Sequence, residues 1–155
     1  MNRTIAAVPA MAAIAMITVC TFSYAQSPSA RAEKNLLAAV NQARRGQRLP
    51  PLRWDESLAA AARRHAAVMA DHGSAQHGFD GEPSLQVRVK QAGVHFSWLS
   101  ENVTQGPTWE FIHAQFMRSP SHRANILDSD MNSIGVGVVE QAGQLFAVED
   151  FAQIH

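Results

Sequence analysis

The hydrophobic pattern of this chain places helices first and strands late. Between Arg31 and Arg45, the residues Leu36, Leu37, Val40 and Arg44 recur at helical spacing, with Ala39 and Ala43 beside them. Gly46 suits the stop. Leu49-Pro50-Pro51-Leu52 cannot continue a helix and reads as an extended connector. The next helix gives the clearest signal. Asp55 is a natural N-cap, Glu56 favours the positive helix end, and Trp54 can pack back on the first turns. Leu58, Ala61, Ala62, His65, Val68, Met69 and His72 then form one stripe, which Gly73 ends. A shorter helix opens at Pro83 or Ser84, runs through Leu85, Val89 and Ala92, and stops at Gly93. Leu99 to Thr104 predicts a short strand. Pro107 fits the first turn of a helix with Trp109, Ile112, His113 and Phe116 on its apolar side. Ser119-Pro120 caps a further short helix carrying His122, Ile126 and Leu127. Ile134, Val136 and Val138 alternate with Gly135, Gly137 and Val139, a strand signal. Gln141 to Gln144 is a tight connection, and Leu145 to Phe151 returns as the second strand of a hairpin. The expected class is α+β, with helices covering a small antiparallel sheet.

A length of 155 residues is one domain's worth. With 46% hydrophobic and 17% charged residues the chain is too apolar for disorder. Thirteen basic residues balance thirteen acidic ones, so no polybasic face points to nucleic acid. The single Cys20 excludes an intramolecular disulfide and any multi-cysteine metal site. Arg3, the apolar run Ala6 to Val19, and small Ser23 and Ala25 read as a secretory signal, residues 1–25, cut after Ala25. The mature chain then begins at Gln26, with a short lead over 26–32 and a single domain over 33–155. It has no thiol and, by expectation, no stable transmembrane segment, which places it in the periplasm or outside the cell. Two rival readings are a lipid anchor on Cys20, although Val19 stands where a small residue normally precedes such a cysteine, and an uncleaved tether.

Seven histidines are the unusual feature of the composition. His65, His72 and His113 lie on apolar helix sides and read as hydrogen-bonded core or boundary residues. His95 and His155 have no partner at a diagnostic spacing. His77 sits in a glycine-flanked loop, Gln76 to Gly81. His122 is in the first turn of a short helix, where unpaired amides should lower its pKa. Glu101 precedes Asn102 at the edge of a predicted strand. Two imidazoles and one carboxylate could bind a divalent cation or handle a proton, if the fold brings them together. No His-Glu-x-x-His helix, Gly-x-Ser-x-Gly elbow, cysteine nucleophile or phosphate-cradling loop is present. Gly135 and Gly137 inside a strand point to close backbone approach.

The order of these pieces resembles the bacterial branch of the CAP superfamily, also called SCP-like or PR-1-like domains. The carriers are Asn41-x-Ala-Arg44, Leu52-x-Trp54-Asp55-x-x-Leu58, His77, Ser100-Glu101-Asn102-Val103 and Ser119-Pro120-Ser121-His122-Arg123-Ala124-Asn125-Ile126-Leu127. The resemblance spans Glu33 to Phe151. It implies an α-β-α sandwich with a central cleft, onto which His77, Glu101 and His122 map as candidate cleft residues and as the ligands of a possible divalent cation such as zinc. No cofactor is implied as required. The glutamate that larger members carry three residues after a helical tryptophan is missing: Phe116 and Ser119 stand in those places. The glycines usually preceding the cleft glutamate and the second histidine are Ser100 and Ser121 here. The function implied is a secreted or periplasmic non-enzymatic binding or interaction module. Its partner would be an envelope or extracellular lipid, glycan or protein, and a monomer is expected. The alternative is a hydrolase using His77, Glu101 and His122, metal-assisted or by general acid–base chemistry. A third reading gives the cleft residues a purely stabilising role.

Overall fold

The computed structural model describes residues 27–155. The expected export signal and Cys20 therefore lie outside the described residues. Helix α1 spans Pro28–Gly46, starting three residues before the expected Arg31 because Ser27 caps it and Pro28 occupies its first turn. The two-residue strand β1 (Arg53–Trp54) follows the proline connector. Helix α2 (Glu56–His72) is bounded as its sequence dictates. The Asp55 carboxylate accepts from the Leu58 N–H at 2.8 Å, and Gly73 closes the helix in the left-handed conformation at φ 65°. Its buried face is Leu58, Ala59, Ala61, Ala62, His65, Ala66, Met69 and Ala70, so the expected stripe is rotated at its end and His72 is exposed.

Helix α3 (Leu85–Gln91) leads to β2 (Phe96–Gly106), which extends beyond the expected Leu99 to Thr104 at both ends. Helix α4 covers Trp109–Arg118. Its cap is Thr108, whose hydroxyl accepts from the Phe111 N–H, so Pro107 lies just outside the helix rather than in its first turn. Ser119 ends α4 and caps α5 (Pro120–Ile126), with Pro120 in the first turn as expected. Strands β3 (Ser133–Gln141) and β4 (Gln144–Ile154) form the late hairpin.

The four strands lie in the order β1-β3-β4-β2. β4 pairs antiparallel with both β3 and β2, while β1 pairs parallel with β3 through Arg53↔Ser133 and Trp54↔Ile134. The sheet is thus mixed at one edge, a detail that two residues cannot announce by periodicity. One face carries Ile134, Val136, Val138, Ala147 and Phe151. It packs against Leu36 and Val40 of α1, Ile112 and Phe116 of α4, and Ile126 of α5. The other face carries Val103, Phe146 and Val148 against Ala62, Ala66 and Met69 of α2, and Ala152 against Leu58 and Val89. Helices therefore cover both faces, as in an α-β-α sandwich. A Cβ at Gly135 or Gly137 would collide with the α2 backbone at Leu58–Ala59 and Ala62–Arg63, so the close approach expected from these glycines is present.

Arg44 ties the far end together. Fully buried, it donates to the carbonyls of Pro50 (2.9 Å), Ile126 (2.9 Å), Asp128 (2.8 Å) and Met131 (3.2 Å). This fixes the C-terminal end of α5, and with it the helix that carries His122.

Candidate functional site

Pairing along β2 places Glu101 opposite Asp150 and Asn102 opposite Glu149. Side chains alternate across a strand, so these two pairs point to opposite faces. The polar site straddles the outer strand of the sheet at this point.

On the α2 face Glu101 is nearly sealed, with its side chain 3% exposed. One carboxylate oxygen accepts from His77 Nδ1 at 2.9 Å, and the other accepts from an Arg88 guanidinium nitrogen at 2.5 Å. Arg88, buried on α3, also donates to the carbonyls of Pro83 (3.2 Å) and His77 (3.4 Å), which ties the glycine-flanked loop to the same hub. Glu82 lies 3.5 Å from Arg88. His65 completes the cluster: its Nδ1 meets Glu82 at 2.6 Å and its Nε2 meets the Gln76 carbonyl at 2.8 Å. Fully buried and hydrogen-bonded, His65 is the core histidine its position suggested. Asp150 sits under Glu101 with neither carboxyl oxygen hydrogen-bonded. Burial, and then the negative charge of Glu101, push its pKa well above the usual carboxylate range.

On the α5 face Asn102 is the organising residue. It donates to the His122 carbonyl (3.1 Å) and to Glu149 (3.1 Å), and accepts from Asn125 (2.9 Å). The His122 N–H is capped by Ser119 Oγ at 3.5 Å, so that hydroxyl is engaged with backbone as its position implied. The His122 ring meets Phe116 edge-on, with centroids 5.3 Å apart. Burial pushes Glu149 up to about 8, against the opposing pull of its Asn102 hydrogen bond.

The two histidines differ in charge preference. His77, with its side chain 63% exposed, is raised by its hydrogen bond to Glu101. His122 is lowered, by burial first and by the charge on His77 second. Burial thus leads where the sequence suggested the helix terminus. The two rings are thus biased in opposite directions, His77 toward its charged form and His122 toward its neutral one, with Glu101 holding His77 Nδ1 and leaving Nε2 uncommitted.

Among the described residues no group of three or more His, Cys, Asp or Glu side chains is arranged to hold a metal ion. Each Glu101 oxygen already accepts one hydrogen bond, and Glu101 stands behind His77 as an orienting carboxylate. The sequence singled out none of Arg88, Glu82, Asp150 and Glu149, and it offered Asn125 only as part of the family motif. A basic residue on a seven-residue helix and two neighbouring acids in a strand ordinarily signal solvent. His113 lies away from this hydrogen-bonded cluster, with Nδ1 buried and unpartnered and its pKa lowered by burial. His72 stacks on Phe79 at 4.2 Å.

The profile of the cysteine-rich secretory protein family (CAP) matches residues 37–151. In sequence the chain is 33% identical over 121 residues to uncharacterized protein YkwD of Bacillus subtilis, covering 77% of this chain and 47% of YkwD. It is 30% identical over 110 residues to uncharacterized membrane protein YlbC of the same organism, covering 68% of this chain and 31% of YlbC. The chain thus spans less than half the length of these curated relatives. In structure it is similar to an extracellular protein containing a SCP domain from Bacillus anthracis, with a TM-score of 0.73 at 24% identity over 81% of this chain and 41% of that one. An outer surface protein from Borrelia burgdorferi superposes with a TM-score of 0.74 at 19% identity, over 81% and 94% of the two chains. These likenesses concern the fold.

Proposed function

The chain belongs to the cysteine-rich secretory protein (CAP) family, and from that premise we propose an extracytoplasmic binding module that holds its ligand without converting it. The observation that carries this reading is the commitment of Glu101. Its carboxylate is buried and both oxygens are taken, one by His77 and one by Arg88. A general base or nucleophile needs an uncommitted atom within reach of the substrate. Glu101 instead fixes the orientation and charge of His77, which is the posture of a recognition group. His77 and His122 then offer paired donor and acceptor atoms to a polar ligand. Export is supported by Arg3, the apolar run Ala6 to Val19 and the Ser23/Ala25 pair.

A second reading has one observation in its favour. The 2.9 Å carboxylate–imidazole contact of Glu101 and His77 also occurs where a histidine serves as a base or binds a cation through its other nitrogen. In that hydrolase, His77 and His122 would hold the cation and Glu101 would orient His77.

The deciding experiment incubates purified mature protein with envelope lipids, peptidoglycan fragments and envelope proteins, and follows captured material by time-resolved mass spectrometry. The binding module gives stoichiometric capture with no chemical change, and loses it in His77→Ala/His122→Ala. Multiple-turnover product formation that disappears in Glu101→Gln would establish the hydrolase in its place. Glu101→Gln should in either case lower the His77 pKa toward its ordinary value, read by NMR titration, because it removes the charge that raises it.

A further inference from the structure

The outer edge of the sheet lies at this site, and its hydrogen-bonding direction can be read from the ladder. The carbonyls of Asn132 and Ile134 accept from Arg53 and Asp55 on the β1 side. Successive residues of a strand turn their amide groups to opposite sides, so Ser133, Gly135 and Gly137 of β3 turn toward β4. Their partners Ala152, Asp150 and Val148 turn back toward β3. That leaves Phe151, Glu149 and Ala147 to bond Ser100, Asn102 and Thr104 of β2. Leu99, Glu101, Val103 and Gln105 therefore direct their N–H and C=O groups away from the sheet. Among the described residues one side-chain hydrogen bond meets this row, from Asn125 to the Glu101 carbonyl at 3.4 Å; Glu101 and Val103 are buried, and Leu99 and Gln105 are half-buried.

Three further observations surround this edge. His77 approaches it from the α2 face through Glu101, and His122 from the α5 face through Asn102. Trp98, at the open start of the strand, is 59% exposed. A cavity of about 320 Å³ lined by Lys90, Val94, His95 and Phe96 lies at the same end.

We infer that this edge is a docking site for a short polypeptide segment in extended conformation, added as a fifth strand beside β2. The inference deepens the binding-module reading and rests on it, by naming the ligand class. An outward row of alternating donors and acceptors is the chemistry a peptide backbone matches, and a glycan or acyl chain does not repeat it. Leu99 supplies the accessible pairing position, and Trp98 supplies an apolar anchor next to it. The register shift between Phe96 and Trp98 breaks the flat run of the strand. That disfavours long edge-to-edge pairing between two copies of this chain and leaves room for a short segment. Lys90 and His95 favour an acidic residue where the segment passes the start of β2.

The test uses the tightest binder from a phage-displayed library of unconstrained dodecapeptides selected on the mature protein. Amide exchange should show new protection at Leu99 and its outward neighbours on adding this peptide, with Ser100, Asn102 and Thr104 protected in both states. N-methylation of every second peptide residue should abolish binding in one phase and spare it in the other. Trp98→Ala, an exposed substitution, should weaken binding about tenfold. Leu99→Pro removes an outward N–H and should abolish binding; if it fails to fold, the methylation pattern and Trp98→Ala still decide. Failure to select any binder, a binder that leaves the outward amides unprotected, or self-association through β2 overturns the inference. A glycan or lipid that shifts His77 and His122 resonances without protecting this edge overturns it too, while keeping the binding-module reading. Turnover of any bound material would remove that reading itself.

Discussion

Arg44 and Arg88 are both all but closed to solvent, and they meet different company. Arg44 donates to four backbone carbonyls drawn from the proline connector, the end of α5 and the approach to β3. Arg88 meets Glu101 and Glu82, with two loop carbonyls beside them. Carbonyls have no second protonation state, so the Arg44 joint is the same at every working pH. Carboxylates can titrate and can hand their charge on to an imidazole. One buried cation is a fixed joint of the scaffold, and the other is part of an electrostatic relay that ends on an exposed ring. Burial and charge alone do not distinguish a structural arginine from one serving a site; the chemistry of the acceptors does.

The comparison can be broken at either arginine. Arg44→Ala should have the largest effect, about 3–5 kcal/mol of lost stability in urea unfolding, because it opens a cavity and strands four carbonyls. A loss below about 1 kcal/mol would show that water replaces the guanidinium freely. Arg88→Met should cost about 2–4 kcal/mol, since it leaves buried Glu101 without its cation. Adding Glu101→Gln should recover part of that loss, and a double-mutant cycle measures the coupling. Strict additivity would remove the relay. Arg44 should show no such coupling to Glu101.

The smallest effect appears only on raising the pH. Glu149 has a folded-state pKa of about 8. The fold therefore holds a proton that the unfolded chain has released, and stability falls as pH rises from about 4.5 through about 8. Glu149→Gln keeps an acceptor for Asn102 but cannot ionise. It should match the parent at pH 4 and exceed it by about 1–3 kcal/mol at pH 9, in thermal or urea unfolding. Parallel stability curves would show that Glu149 is not held neutral.

Much of the scaffold was legible because its signals are local. Asp55 and Gly73 bound α2, Ser119-Pro120 opens α5, and the alternation from Ile134 marks a strand whatever lies far along the chain. His77, Glu101 and His122 were reached through motif order, and the first two do touch. The supporting groups were hidden for a physical reason. In a sheet covered on both faces, polar alternation no longer marks a solvent side, so Glu149 and Asp150 are both buried although adjacent. Arg88 gains its meaning from Glu101, thirteen residues on and in another element. β1 is too short to show a period.

The two glycines of β3 bear on how substitution data from this chain should be read. Gly135 and Gly137 face the backbone of α2 so closely that even one methyl group has no room. In a saturation scan both positions would reject every replacement, as strictly as any residue in contact with a ligand. His77, whose exposed side chain is held by one hydrogen bond, would tolerate many replacements in an assay of folding or abundance. A map of tolerance would therefore light up the helix–strand seam and leave the histidine dark, and only a map scored on ligand capture would reverse that contrast.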